Sequence, residues 1–113
     1  MSTATKRDLN QVAMEVILAA GDARNCADAA MDSMAEFDFD AAEQHLADAD
    51  AKIVKAHNVQ TEVIQAQVSG EEEFDYSILF VHAQDTLMTI NSELRLAKKM
   101  LAMMRAIDGR LAK

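Results

Sequence analysis

SILFVHAQDTLMTINSELRLAKKMLAMMRAIDGRL, residues 77–111, is the stretch on which the fold turns. Leu79, Ala83, Leu87, Ile90, Leu94, Ala97, Leu101 and Met104 recur at three- and four-residue steps, with Leu111 one heptad later. That spacing puts side chains on one face of a helix. No proline interrupts the run, and Leu, Met, Ala, Lys and Arg are strong helix formers. The pattern predicts a helix over about 76–111, with Asp75 or Ser77 capping its start by accepting from a free backbone N–H. This helix has a second face as well. At about 100° per residue, Ile78, Val81, His82, Asp85, Met88, Ser92, Leu96, Met103 and Ile107 fall roughly opposite the first stripe. A half-apolar outer face with a carboxylate near its centre predicts contact with another helix. The chain offers only two more, so the extra partner is expected to be another copy of this protein.

Upstream, Phe39, Ala42, Leu46, Ala49, Ile53, Ala56 and Val63 form a second stripe, predicting a helix over about 40–68. Asp40 followed by Glu43 has capping-box spacing. Ser69-Gly70 is expected to end the helix, because glycine tolerates the left-handed backbone of a helix terminus. Glu71-Glu72-Glu73 reads as a solvated acidic loop. A third stripe, Leu9, Val12, Val16, Ala20, Ala23, Ala27, Ala30 and Met34, predicts a helix over about 6–35, capped by Thr5 or Asp8. Phe37-Asp38-Phe39-Asp40 reads as the tight connection. Short connections make successive helices antiparallel neighbours. The expected fold class is all-α, an up-down-up three-helix bundle with a coiled-coil-like core.

Composition agrees and narrows the function. The 113 residues are enough for one domain, 1–113. Half are hydrophobic but only 4% aromatic, so Ala, Leu and the eight Met must fill the core. A formal net charge of −8 disfavours nucleic acid and anionic membrane as partners, since both repel an acidic body. No apolar run approaches the roughly 18 residues of a membrane span. Met1 to Arg7 lacks a signal-peptide core, and the single Cys26 cannot form an internal disulfide. A cytoplasmic protein is expected. Cys26, set among alanines, reads as a small core residue.

Glycine-rich phosphate loops, C-x-x-C pairs and nucleophile elbows are absent from the sequence. Three histidines remain. His45, among Glu43, Asp48 and Asp50, reads as a solvated surface residue, and His57, beside Ala56, as a histidine satisfied by a hydrogen bond. His82 and Asp85 share a face at i, i+3 spacing. Two readings stand for this pair: a local His–Asp contact, or an imidazole serving as nucleophile or phosphoryl acceptor near neutral pH.

The segment Val81-His82-Ala83-Gln84-Asp85-Thr86-Leu87-Met88-Thr89 resembles the H-[AG]-Q-D-H-L-M-T signature of the lactose/cellobiose-type IIA components of the bacterial phosphoenolpyruvate-dependent sugar phosphotransferase system. Ala20-Gly21-Asp22-Ala23-Arg24, Asp38-Phe39 and Ala56-His57 with Gln60-Thr61 are similar to other stretches of that family, in the same order. The resemblance implies a homotrimer of three-helix bundles. It implies a phosphoryl relay: a histidine takes the group from the histidine-containing phosphocarrier protein and gives it to a cysteine of the IIB component during disaccharide uptake. His82 then matches the acceptor, attacking through Nε2, with Gln84 and His57 as supporting residues. Asp85 matches the family's aspartate on the trimer axis, where three carboxylates would hold one Mg2+. Thr86 departs from the pattern, standing where many members carry a second histidine. The alternatives are a non-catalytic helical-bundle interaction module and a metal-binding bundle.

Overall fold

The computed structural model describes residues 8–70 and 75–112. These form three helices and no strand: α1 Leu9–Ala35, α2 Phe39–Ser69 and α3 Ile78–Leu111. Each begins where a short polar side chain meets the free N–H groups of a first turn. The Asp8 carboxylate accepts from the backbone N–H of Asn10 and Gln11 at 3.0 and 3.4 Å. Asp38 accepts from Ala41 at 3.1 Å, and Ser77 Oγ from Phe80 at 3.0 Å. The cap of α2 is therefore Asp38, and not Asp40 as the D-x-x-E spacing suggested. Asp40 lies inside the first turn, and with Glu43 it faces Arg105 of α3 instead. Thr5 and the Glu71-Glu72-Glu73 loop lie outside the described residues.

The α1–α2 corner shows how a three-residue connection reverses the chain. Phe37 N–H donates to Met34 O at 3.0 Å and Asp38 N–H to Ser33 O at 2.9 Å. This is the paired bonding of a Schellman ending. Phe37 occupies the left-handed position with φ 61°, where glycine is usual. Its ring lies 5.5 Å from that of Phe39, a tilted pair worth about 0.5–1.5 kcal/mol that offsets part of the backbone strain. At the far end Gly70 closes α2 with φ 73°, as its sequence position predicts.

Side-chain links give the direction of each helix. Ser77 Oγ donates to Asn10 Oδ1 at 2.7 Å, and Arg24 grips Glu93 with two bonds of 3.0 and 2.8 Å, so α1 and α3 run parallel. Lys98 meets Asp50 at 2.6 Å, and Arg105 meets Asp40 and Glu43, so α2 runs against α3. The result is the up-down-up rod, 21 × 18 Å in section.

The α1 and α2 stripes are buried as expected, with Phe39 only half-buried. Alanines at 13, 20, 23, 27 and 30 let α1 approach both neighbours closely, and α1 packs more extensively on each than they do on one another. The α3 stripe needs two corrections. Phe80, 5% exposed, takes the core position at the start of α3, leaving Leu79 at its edge. Leu111, 73% exposed, lies beyond the reach of the other helices. The stripe ends at Leu101, with Met104 half-buried. The outer face behaves as its pattern predicts: Ile78, Val81, Met88, Leu96, Met103 and Ile107 are all exposed.

Candidate functional site

Capping by Ser77 starts α3 five residues before His82, which places the imidazole in the second turn, on the outer face. The ring is exposed and, among the described residues, carries no hydrogen bond or ion pair. Thr86 Oγ1 donates to the His82 backbone carbonyl at 2.9 Å, so that hydroxyl is tied back onto the helix and turned from the ring. Asp85 is exposed on the same face, and no bond joins it to His82. The local His–Asp contact is therefore not formed. A free imidazole stands beside a free carboxylate on a surface whose other members are largely apolar.

The remaining residues of interest are spread out. Gln84 lies two positions beyond His82, about 160° away around the helix. It lines the groove toward α2 with Gln67, Phe80 and Leu9. His57 is exposed on α2, its Nδ1 3.5 Å from Thr61 Oγ1 one turn along, the hydrogen-bonded histidine its sequence suggested. Within one chain, neither Gln84 nor His57 is bonded to His82. His45 is half-buried, not fully solvated, and Cys26 packs against the core edge. Among the described residues, no group of three or more His, Cys, Asp or Glu is placed to hold a metal ion. Asp85 is a single hard-oxygen donor; a cation there needs further ligands from outside the chain.

Two features escaped the sequence. Gln60 is a polar residue inside the core, 9% exposed, and its side-chain carbonyl oxygen Oε1 has no hydrogen-bond partner. Its place between Ala56 and Val63 on the second stripe carried the signal, since any residue at that step faces inward. Arg24 is the second. Its bidentate bond to Glu93, assisted by the nearby charge of Asp28, holds the guanidinium above its ordinary value. Nothing local in the sequence pairs residues 69 positions apart.

Comparison with known proteins adds to this geometry. The family model for the lactose/cellobiose-specific IIA subunit of the PTS system matches residues 11–105. The lactose-specific EIIA component of Lacticaseibacillus casei is 41% identical over 86 residues, 76% of each chain. The crystal structure of the cellobiose-specific enzyme IIA from Bacillus anthracis superposes with a TM-score of 0.82 at 29% identity, covering 96% of this chain and 95% of that one. The solution structure of IIA(chitobiose) in complex with HPr, from the N,N'-diacetylchitobiose branch of the Escherichia coli phosphotransferase system, gives a TM-score of 0.76 at 30% identity. It covers 90% of this chain and 98% of that one. No helix of the described residues is long and apolar enough to cross a membrane.

Proposed function

This chain belongs to the lactose/cellobiose-specific IIA family of the sugar phosphotransferase system, and on that premise we propose that it is a cytoplasmic phosphohistidine carrier with His82 as its acceptor. The observation that carries the reading is an exposed, unbonded imidazole on the face of α3 where the family's signature falls. Phosphoryl transfer asks the protein for access and alignment more than for covalent help. The neutral ring presents the Nε2 lone pair to the phosphorus of a phosphohistidine on an HPr-type donor. As the new N–P bond forms, the old one breaks in line and its electron pair returns to the donor's ring. The thiolate of a IIB cysteine then attacks phosphorus, and the electron pair of the breaking bond returns to Nε2. Exposure lets water meet the added charge of about −1.5 to −2. Thr86 offers no second imidazole, and its hydroxyl is engaged elsewhere, which leaves His82 without a competing acceptor on that face.

The working form is a homotrimer joined through the outer face of α3. Isolated, that face leaves Leu96 and Met103 more than half exposed, and burying such a stripe is what drives helices to associate. Assembly about this face would bring three Asp85 carboxylates together. Their repulsion is relieved by a hard cation such as Mg2+, for which oxygen donors are the fitting ligands. The ion would be structural, supplying charge balance at the axis and no step of the transfer. Gln84 and His57 are supporting residues in this proposal through the faces that they present to neighbouring molecules.

The test is mass. Incubation with phosphoenolpyruvate, Enzyme I and HPr should add one acid-labile phosphoryl group. His82→Ala should abolish the addition with helicity unchanged, and His45→Ala should be nearly silent. Phosphate uptake by His82→Ala at the normal rate would overturn the assignment, and no uptake by the wild type would favour an interaction module.

A further inference from the structure

On the side that α3 does not cover, a groove of about 540 Å³ runs between α1 and α2. Ala19 and Ala56 line its floor, and their small side chains leave the trough open. Leu18, 64% exposed, and the half-buried Val59 add apolar surface. The two lips differ in sign. Glu15 and Asp22 stand on the α1 lip, Lys52 and Lys55 on the α2 lip, and all four are exposed.

The chain bridges its other two grooves with ion pairs. Arg24 reaches Glu93 between α1 and α3, and Lys98 and Arg105 reach Asp50, Asp40 and Glu43 between α3 and α2. The α1–α2 groove has no such bridge among the described residues. Asp22 and Lys52 are equally far from the corner at Phe37, as are Glu15 and Val59, so the acidic and basic rows face each other. Yet none of the four charged side chains makes an ion pair or hydrogen bond among the described residues. Opposite charges are held apart across a trough with an apolar floor.

We propose that this groove seats an amphipathic helix of a different protein, one with a small apolar ridge, a basic flank and an acidic flank. The ridge packs on Ala19, Ala56, Leu18 and Val59, as in helix-in-groove recognition. The basic flank meets Glu15 and Asp22, and the acidic flank meets Lys52 and Lys55. A helix with flanks of one sign is repelled at one lip, which makes the pairing selective. Reversing the guest end for end exchanges its flanks, so the two lips also set its direction. A second copy of this chain does not answer the pattern. Turned end for end, it lays α1 on α1 and acid on acid. Set parallel, it matches charge only about an axis along the rods, and beside the proposed α3 axis that repeats into an open array.

The probe is a labelled synthetic helix of about 18 residues, long enough to be helical alone, with an Ala/Leu ridge, Lys on one flank and Glu on the other. Fluorescence anisotropy with the full chain should show saturable binding, and a peptide with Glu on both flanks should bind roughly tenfold more weakly at low salt. Lys52→Glu with Lys55→Glu should weaken the mixed peptide by roughly tenfold or more, an effect that shrinks in about 0.5 M salt. A peptide with Lys on both flanks should bind that variant within about threefold of the original pair. Leu18→Gln should weaken binding about fivefold at either salt, through lost apolar burial. Circular dichroism checks that the variants stay helical, and phosphoryl uptake on the same proteins reports the relay separately. No saturable binding by the wild type up to about 1 mM, or equal affinity in the double variant, would overturn the proposal. A change in the sedimentation of the unliganded double variant would assign the groove to a second copy and overturn it as well.

Discussion

Gln60→Met should stabilise the protein, although it removes a residue that the family resemblance includes. Gln60 sits on the inward stripe of α2, 9% exposed, and its Oε1 accepts no hydrogen bond. A buried acceptor left unsatisfied costs about 1–3 kcal/mol, because its bonds to water in the unfolded chain are not replaced. Methionine has nearly the same length and volume, bends into irregular space and carries no obligatory acceptor. Allowing for bonds lost at the amide nitrogen, a net gain of about 1–2 kcal/mol is expected. A 113-residue chain has an unfolding entropy near 2.1 cal/mol/K per residue, so this corresponds to a rise in melting temperature of about 4–8 °C. Differential scanning calorimetry at fixed protein concentration measures it, the concentration being held because association shifts the midpoint. Gln60→Ala separates two causes. It too removes the orphaned oxygen, but it leaves a cavity, and its melting temperature should fall below that of Gln60→Met. If Gln60→Met melts at or below the wild-type temperature, the oxygen is satisfied in solution and the reasoning fails.

Gly70→Ala should cost about 1 kcal/mol, from strain at φ 73° alone, since a Cβ there meets nothing within 4 Å; urea unfolding that shows no loss would refute that origin. Asp85→Leu should preserve the assembly and raise its melting temperature in chelator. Replacing a buried charged cluster by apolar groups is often neutral or stabilising by about 1–4 kcal/mol. An equal response of wild type and Asp85→Leu to added Mg2+ in thermal melts would discard the axial site.

The helices were legible because their determinants are local. Three apolar stripes, the absence of proline, Ser77 ahead of α3 and Gly70 behind α2 each act within a few residues of themselves. Boundaries fell within a few residues for the same reason. The errors lie where two local signals competed. Asp38 and Asp40 both stood near the start of α2, and only the backbone turn at Phe37 decided which carboxylate met the free N–H groups. Leu79 and Phe80 both fitted the start of the α3 stripe, and the larger ring took the inward place. The candidate acceptor was legible through the motif around His82, whereas its unbonded state and the tie between Thr86 and the helix backbone were not.

By itself, then, the sequence determined the helical class, the count and order of the helices, and a half-apolar outer face on α3 centred near Asp85, because periodicity and capping are properties of neighbouring residues. Only the tertiary structure decided that Gln60 is buried with an orphaned oxygen and that Arg24 reaches Glu93. Those facts depend on the axial register of one helix against another. That register is set by packing summed over whole faces, and no short stretch of residues encodes it.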